Sequence, residues 1–218
     1  MSDTPARSAT YAPYVFDVHD VDEARRIILT PEAGTTTDSR WRLETPYLVD
    51  RIAERFALTQ QHVVLDYGCG LGRMAKAVIE RFDCWVIGAD MSMSMRQLAP
   101  GYVGSDRFSV VSPHVLDLLV ARGFRADVGL AVWVIQHAAR ADVEVERLAK
   151  SIRADGGLFV ANNVRRAVPT DQGWADDGAN VAALLERVFQ PVWQGRLPRE
   201  IGGDVLPDAS YLAAYRRP

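Results

Sequence analysis

The segment 63–73, Val-Val-Leu-Asp-Tyr-Gly-Cys-Gly-Leu-Gly-Arg, limits the possible folds more than any other part of the chain. Apolar residues lead into Asp66, and glycine then occupies positions 68, 70 and 72. A short apolar run bounded by glycine is typical of a buried parallel strand, and the helical apolar pattern that follows predicts a helix. Because glycine has no Cβ atom, the loop can turn sharply and its amides can approach a ligand. The segment therefore predicts a strand, a loop and a helix that hold a nucleotide-like ligand.

Two groups of cofactors are bound by loops of this kind. The dinucleotide fingerprint requires Gly-x-Gly-x-x-Gly, with the pyrophosphate at the helix N-terminus. Here the spacing is Gly-x-Gly-x-Gly, and Arg73 stands where the fingerprint has its last small residue. Asp66 would also repel a pyrophosphate, whereas it suits a ligand that carries an ammonium and a sulfonium group. A tight strand–helix turn that binds nothing is the plain structural alternative.

The wording V-L-D-x-G-C-G-x-G, which includes Cys69, resembles the glycine-rich motif of class I S-adenosylmethionine-dependent methyltransferases. The resemblance implies an α/β fold with a doubly wound, seven-stranded, mostly parallel sheet and an antiparallel last strand. An N-terminal helical lid is expected from the residues before this domain. It also implies S-adenosyl-L-methionine as cofactor, S-adenosyl-L-homocysteine as product, and methyl transfer to an O or N nucleophile of a small-molecule acceptor. The alternatives are an NAD(P)-dependent oxidoreductase, a cofactor-binding scaffold or regulator without catalysis, and a protein or RNA methyltransferase.

The remaining sequence predicts alternating helices and strands, as in a doubly wound sheet. Asp20 is expected to cap a helix over 21–29, and Thr45-Pro46 to begin the helix before the first strand. Residues 1–12 are expected to be a mobile lead-in. The chain is divided into an N-terminal helical or lid segment, 1–44, and a cofactor-binding domain, 45–218. Further strands are predicted over 85–90, 108–111, 126–134, 158–161, 192–197 and 211–216, with a continuous helix over 135–149 and a loop over 164–178.

Asp90 ends the second predicted strand, where a βαβ unit places a carboxylate that accepts from two ribose hydroxyls. Capping of the next helix is the alternative, and both roles can coexist. The resemblance also implies an acid after the third strand for the adenine amino group, but the sequence has none there before Asp117. Ser112 or a backbone carbonyl is therefore expected to hold the adenine.

His137 follows the fourth predicted strand and is the candidate general base, because histidine titrates near neutrality. A structural histidine at a helix start is the alternative. Trp133 could form a wall for the adenine or the acceptor, or belong to the core, and the segment 144–147 is expected to be a solvated helical face. The residues predicted to bind the cofactor are Asp66, Gly68, Cys69, Gly70, Gly72, Asp90, Met91, Ser112, Trp133, Arg40 and Trp41.

The segment 34–41 is rich in glycine and hydroxyl residues, which bury little apolar area. It ends in Arg40, which could bind the carboxylate of the methionine moiety or of an acidic acceptor, and in the broad apolar ring of Trp41. The segment is therefore predicted to be a lid that becomes ordered over the bound cofactor. A plain surface linker with Trp41 packed against the sheet edge is the alternative.

Charge and composition argue against a nucleic-acid-binding, a membrane-spanning and a secreted protein. A formal net charge of −3 and a pI near 5.8 argue against a nucleic-acid partner. No apolar run reaches membrane-spanning length, and no signal peptide is recognised. The two cysteines, Cys69 and Cys84, show no metal-type spacing and indicate a reduced cytoplasm. A cytoplasmic monomer or homodimer without a metal is expected.

Overall fold

The computed structural model describes residues 9–218, in which nine strands alternate with helices. The strands are β1 Val63–Tyr67, β2 Trp85–Ala89, β3 Phe108–Val111, β4 Ala126–Val132, β5 Ile152–Asn163, β6 Val168–Thr170, β7 Gly173–Ala175, β8 Gln190–Gly195 and β9 Ser210–Arg216. The α-helices are α1 Val21–Ile28, α2 Thr37–Arg55, α3 Arg73–Phe82, α4 Met93–Val103, α5 Pro113–Ala121, α6 Ala141–Ser151, α7 Val181–Glu186, α8 Arg199–Gly202 and α9 Leu206–Ala209. Two 3-10 helices cover Pro13–Phe16 and Ile135–His137.

Seven of these strands form one sheet in the order β3-β2-β1-β4-β5-β9-β8. The strands from β3 to β5 in this order are parallel, and β9 runs antiparallel to both of its neighbours. The predicted doubly wound, mostly parallel sheet with an antiparallel last strand is therefore confirmed. Because the strand order reverses beside β1, the carboxyl ends of β1, β2 and β4 border one crevice, which is where such sheets bind ligands.

The core lies on both faces of this sheet, because successive strand residues point to opposite sides. Val64 packs into a cluster with Leu48 of α2 and the inner residues of α3. Its neighbour Leu65 packs on the other face with Leu116 of α5 and Leu148 of α6. The two layers of helices thus hold β1 rigidly, and with it the glycine loop that follows.

Helix α2 begins earlier than predicted. Thr36 is its N-cap, accepting from Ser39 N at 3.0 Å while Ser39 Oγ accepts from Thr36 N at 2.8 Å, and Pro46 lies inside the helix. This reciprocal cap starts the helix eight residues before Thr45-Pro46, so that prediction was wrong. The helix also crosses residue 44, where the chain was divided, and the division into 1–44 and 45–218 stays a prediction.

Other boundaries follow local backbone geometry. The predicted helix over 21–29 is found as α1, with Asp20 accepting from Glu23 N at 2.8 Å. Strand β4 ends at Val132 rather than at 134, since Trp133 has a φ of +59°. The predicted helix over 135–149 is split into the 3-10 turn and α6, and β5 begins at Ile152 rather than 158. The predicted loop over 164–178 contains the β6–β7 hairpin.

The start of the described chain is fixed to this hairpin. Tyr11 forms a β-bridge with Thr170, and Ala12 N donates to Pro169 O at 3.0 Å. Residues 9–12 are therefore ordered against the fold, whereas the rest of the predicted lead-in lies outside the described residues. Within residues 9–218 no helix is long and apolar enough to cross a membrane, and no three His, Cys, Asp or Glu side chains gather as metal ligands.

Candidate functional site

A cavity of about 340 Å³ opens at the carboxyl ends of β1, β2 and β4. Its walls are the glycine loop, the end of β2, the segment 132–139, part of α6, and the N-terminal residues Tyr11, Phe16, Ile27 and Ile28. This volume lies in the range of sites that enclose a small organic ligand. The cavity therefore coincides with the crevice that the sheet topology predicts.

The glycine loop has a backbone conformation that residues with side chains rarely adopt. Gly68 and Gly70 have φ values of +68° and +52°. A Cβ atom on Gly68 would lie 2.2 Å from Val134 Cγ2, and one on Gly70 would lie 2.9 Å from Ile28 Cδ1. Both residues line the cavity, as does Cys69, so these three predicted positions are brought to the site. Gly72 stands at the start of α3 and does not line it.

Asp90 joins the glycine loop to the end of β2. Its Oδ2 accepts from Gly70 N at 2.7 Å and its Oδ1 accepts from Ser92 N at 2.8 Å. Helix α4 itself is capped by Ser92, whose Oγ accepts from Met95 N at 3.3 Å. Because each carboxylate oxygen has a second acceptor site, Asp90 can still accept hydrogen bonds from a ligand in the cavity that it lines.

Asp66 lines the floor of the cavity and is 2% exposed. Its Oδ2 accepts from Ala75 N at 3.0 Å, which ties β1 to α3. Burial raises the pKa of Asp66 to about 7, against the smaller opposing effects of the Ala75 amide and the Arg73 guanidinium. A positive group of a ligand beside Asp66 would favour its ionised form.

Arg40, Glu44 and Arg73 form a buried ion cluster beside the cavity. Glu44 is 0% exposed and accepts from Arg40 at 3.0 and 2.7 Å, and Arg40 also donates to Thr30 O at 3.0 Å. Arg40 therefore points into the fold and does not line the cavity. Trp41 is also absent from the wall, since its Nε1 donates to Tyr102 Oη at 3.1 Å. The structure thus corrects the predicted cofactor contacts of both residues, whose partners are protein groups.

Arg73 is a cavity residue that the sequence prediction omitted. It is 4% exposed, and its Nη1 lies 3.1 Å from Thr45 Oγ1 and 3.3 Å from Glu44 Oε1. No described residue accepts from its Nη2. Its position directly after the third glycine was the available signal. With Arg40, it gives the cluster around Glu44 a formal charge of +1 beside the cavity.

Trp133 lines the cavity as predicted, and the ion cluster fixes its ring. Its Nε1 donates to Glu44 Oε1 at 2.7 Å, and the Arg40 guanidinium lies 5.6 Å from the ring centroid. The φ of +59° at Trp133 turns the chain out of β4. The indole is therefore a rigid wall between the ion cluster and the cavity.

His137 also lines the cavity, and both of its ring nitrogens have protein partners. Nδ1 lies 2.7 Å from Ala167 O and therefore carries the proton in this hydrogen bond. Gln136 Oε1 accepts from Asn163 N at 2.8 Å, which directs its amide nitrogen to His137 Nε2 at 3.2 Å. Burial lowers the pKa of His137, so the neutral form is favoured. The ring also packs against Phe16 and Trp174, with centroids 5.5 and 5.3 Å away.

Two further predictions concern the adenine. Met91 lines the cavity, and its Sδ lies 3.5 Å from Tyr11 Oη. Ser112 does not line it, because its side chain caps α5 by accepting from Val115 N at 3.3 Å. Pro113 takes its place in the wall. The adenine contact predicted for the Ser112 side chain is therefore replaced by a helix cap.

The segment 144–147 was predicted to be a solvated helical face, and this is wrong for three of its residues: Val145 is buried in the core, and the other two border the cavity. Glu144 and Arg147 line the cavity and contact Tyr67, which lines it as well. Tyr67 occupies the variable position of the glycine motif, so the sequence could have singled it out. That α6 packs beside Tyr67 could not be predicted from the sequence.

Comparison with known proteins shows which proteins this chain is similar to. Residues 64–156 match the family described as "Methyltransferase domain". This segment includes β1, the glycine loop and the strands that border the cavity. Over this segment the chain is therefore similar to methyltransferases, in agreement with the resemblance of the glycine motif.

Individual relatives support the same class. Over 135 residues the chain is 32% identical to a ubiquinone biosynthesis O-methyltransferase of Agrobacterium fabrum, an alignment that covers 58% of this chain and 52% of the relative. The chain spans about half the length of the curated relatives it matches, with shares of 40%, 48% and 52%.

Solved structures share the fold. Magnesium protoporphyrin IX methyltransferase of Synechocystis PCC 6803 with bound S-adenosylhomocysteine aligns with a TM-score of 0.62 at 15% identity, over 90% of this chain and 94% of that one. A geranyl diphosphate methyltransferase in complex with its diphosphate and sinefungin aligns with a TM-score of 0.63 at 12% identity, over 81% and 79%. At such low sequence identities, the alignments show that the folds are alike and nothing more.

Proposed function

We propose that the chain transfers the methyl group of S-adenosylmethionine to an O or N nucleophile of a small-molecule acceptor. The observation that carries this proposal is the Asp90 carboxylate, which bonds to Gly70 N at 2.7 Å inside the cavity. It combines a glycine loop with an acid at the end of the second strand, the arrangement that binds a ribose at the crevice of an open α/β sheet. The family match over residues 64–156 supports the same activity.

The charges of the cavity fit the methionine moiety of this cofactor. Arg73 offers a buried guanidinium whose Nη2 has no acceptor among the described residues, and this donor suits a carboxylate. Asp66 offers a buried carboxylate on the same side, which suits an ammonium group. Asp90 is assigned to the ribose hydroxyls, and Met91 and Pro113 to the faces of the adenine. Arg73 thereby replaces Arg40 as the residue for the carboxylate.

For methyl transfer from a sulfonium, the protein mainly has to align the reacting groups and exclude water from the site. The bound cofactor supplies an activated methyl group, and the acceptor must approach it in line. The rigid walls formed by Trp133 and His137 can fix the acceptor, which contributes to the rate through orientation. The N-terminal residues Tyr11 and Phe16 also line the cavity, and Ala12 between them is bonded to the β6–β7 hairpin.

The role of His137 as a general base stays a prediction. The favoured neutral form supports it, since a base must accept a proton. The hydrogen bond from the Gln136 amide to Nε2 instead supports a positioning role, in which the ring is a fixed wall for the acceptor.

The acceptor is inferred to be a small molecule with an apolar or aromatic part. Phe16, His137 and Trp174 form a three-ring cluster at the cavity, with centroid distances of 5.3 to 6.2 Å. The net charge of −3 supports the absence of a nucleic-acid partner. A cytoplasmic monomer or homodimer, with an N-terminal segment 1–44 that covers the domain, completes the proposal.

Labelled S-adenosylmethionine and a fractionated metabolite extract test this proposal. We expect label in one or a few small products, and much less label with the Asp90→Ala variant, whose affinity for the cofactor is reduced. Tight binding of S-adenosylhomocysteine without any labelled product would favour the cofactor-binding scaffold or regulator. Binding of NADH in place of S-adenosylhomocysteine would favour the oxidoreductase.

A further inference from the structure

The cavity contains a second polar group, on the face of the sheet opposite Asp66. Asp66 and Tyr67 are successive residues of β1, so their side chains point to opposite faces. The Asp66 side chain meets Ala75 of α3, whereas the Tyr67 hydroxyl donates to Glu144 Oε2 of α6. Arg147 Nη1 donates to the same carboxylate oxygen and lies 3.0 Å from Tyr67 Oη. Tyr67, Glu144 and Arg147 form a network that lines the cavity.

This network leaves one carboxylate oxygen open. Arg147 is held from behind by Asp117, with Nε to Oδ1 at 2.8 Å and Nη2 to Oδ2 at 3.2 Å. Both donors to Glu144 reach Oε2, and no described residue donates to Oε1. Tyr67, Glu144 and Arg147 together have a formal charge of zero, and Asp117 behind Arg147 brings the group to −1. Glu144, which lines the cavity, therefore has one acceptor oxygen to which no described residue donates.

The sheet register places Tyr67, and with it this network, on the side of the expected base. Tyr67 pairs with Ala89, the residue before Asp90, so the network lies next to the ribose-binding position. Pro113, which lines the cavity at the start of α5, belongs to the same helical layer as the network. The Ser112 side chain does not line the cavity, and the sequence has no acid between β3 and α5. Glu144 is thus the carboxylate that borders this part of the cavity.

We propose that Glu144 accepts a hydrogen bond from the exocyclic amino group of adenine through Oε1, with Tyr67 and Arg147 as positioning residues. The assignment rests on the proposed function, because it takes the cofactor as the ligand. A carboxylate accepts from an amino group but repels a carbonyl oxygen, so Glu144 would also reject a base with oxygen at position 6. Glu144 is therefore assigned as the residue that selects the base.

The test compares the affinities of S-adenosylhomocysteine and S-inosylhomocysteine, which differ at this position, by calorimetry. For the wild type we expect a preference of about 10²-fold or more for the adenine ligand, since a mismatched buried polar pair is costly. Glu144→Gln keeps the shape, can still accept from Tyr67 Oη, and presents an amide that can donate to the carbonyl. This variant should reduce the preference to less than about tenfold.

Glu146→Gln is the matched control, because Glu146 lies on the same helix, is 66% exposed and pairs with Lys150. It should keep the wild-type ratio. Equal affinities of the wild type for the two ligands would overturn the assignment without any variant, and so would an unchanged ratio in a folded Glu144→Gln variant. If the wild type binds neither ligand, the proposed function and the Glu144 assignment fall together. If it binds S-adenosylhomocysteine without discrimination, only the Glu144 assignment falls.

Discussion

At the scale of single residues, the question is whether Arg40 or Arg73 binds the carboxylate of the methionine moiety. Both contact Glu44, but only Arg73 lines the cavity. We expect Arg73→Gln to weaken S-adenosylhomocysteine binding by about 1.5–3 kcal/mol, the usual size of a hydrogen bond to a charged group. Binding of 5′-methylthioadenosine, which lacks the carboxylate, should stay within about twofold of wild type, since it is insensitive to that bond.

Arg40→Gln is the matched control for this comparison, because it removes the other cation from the same buried acid. It should lower the thermal midpoint without changing the ratio of the two affinities. A ratio that changes in Arg40→Gln and not in Arg73→Gln would return the carboxylate to Arg40.

His137 allows a second test at this scale. If the ring mainly positions the acceptor wall, His137→Asn should lower the thermal midpoint, because the bond to Ala167 O at 2.7 Å and two ring contacts are lost. Activity per folded molecule would then stay near that of the wild type. A drop of about 10²-fold in turnover, with the affinity for S-adenosylhomocysteine preserved, would instead assign general-base work.

Asp66 predicts how stability depends on pH. Burial raises its folded pKa to about 7, whereas in the unfolded chain it titrates near the ordinary value of 3.8. The folded state therefore binds the proton more tightly, and stability contributed by this group is lost as pH rises from about 4 through about 7. Asp66→Asn removes this loss and should be more stable than wild type at pH 8 by up to about 4 kcal/mol.

Urea unfolding at pH 5 and pH 8 measures this effect. The advantage of Asp66→Asn should be smaller at pH 5, and Asp50→Asn on the exposed face of α2 should show no such change. An Asp66→Asn variant that is less stable than wild type at pH 8 would show that the ionised carboxylate stabilises the fold.

At the scale of elements, the N-terminal part of the chain covers the cavity in a different way from the predicted lid. Residues 37–41 are the first turns of α2, held by the Thr36 cap and the Glu44 cluster. Tyr11 and Phe16, which line the cavity, belong to the strap 9–17. The strap bonds to the β6–β7 hairpin through Ala12 N to Pro169 O and Asp171 N to Thr10 O. The strap is thus the element positioned to respond to a ligand.

Amide hydrogen exchange distinguishes the two segments. Without ligand, residues 38–41 should exchange as slowly as the rest of α2, except for the frayed first amides, because the capped helix needs no ligand. Binding of S-adenosylhomocysteine should slow exchange in the strap, since Tyr11 and Phe16 line the cavity. If the ligand instead slowed exchange in residues 34–41 and left exchange in the strap unchanged, the predicted lid would be supported.

At the scale of the whole molecule, the sheet was predictable because each strand carries its own local signal. The apolar run before Gly68 and the acid at the end of β2 locate the crevice without any knowledge of packing. Arg40 and Glu144 were misassigned because their partners depend on how helices are oriented. Glu44 is only four residues from Arg40, so that ion pair was visible as helical spacing. The contact between Tyr67 and Glu144 spans 77 residues and follows only from the docking of α6.

The proposed function depends above all on Asp90, which we propose holds S-adenosylmethionine in the crevice beside the glycine loop. Calorimetric titration of the full chain with S-adenosylhomocysteine, repeated with Asp90→Ala, tests it most directly. We expect one site per chain in the wild type and a loss of about 1.5–3 kcal/mol in binding free energy in the variant, the range for hydrogen bonds to a charged group. No binding to the wild type, or an affinity of Asp90→Ala within twofold of it, would show that Asp90 does not hold the cofactor.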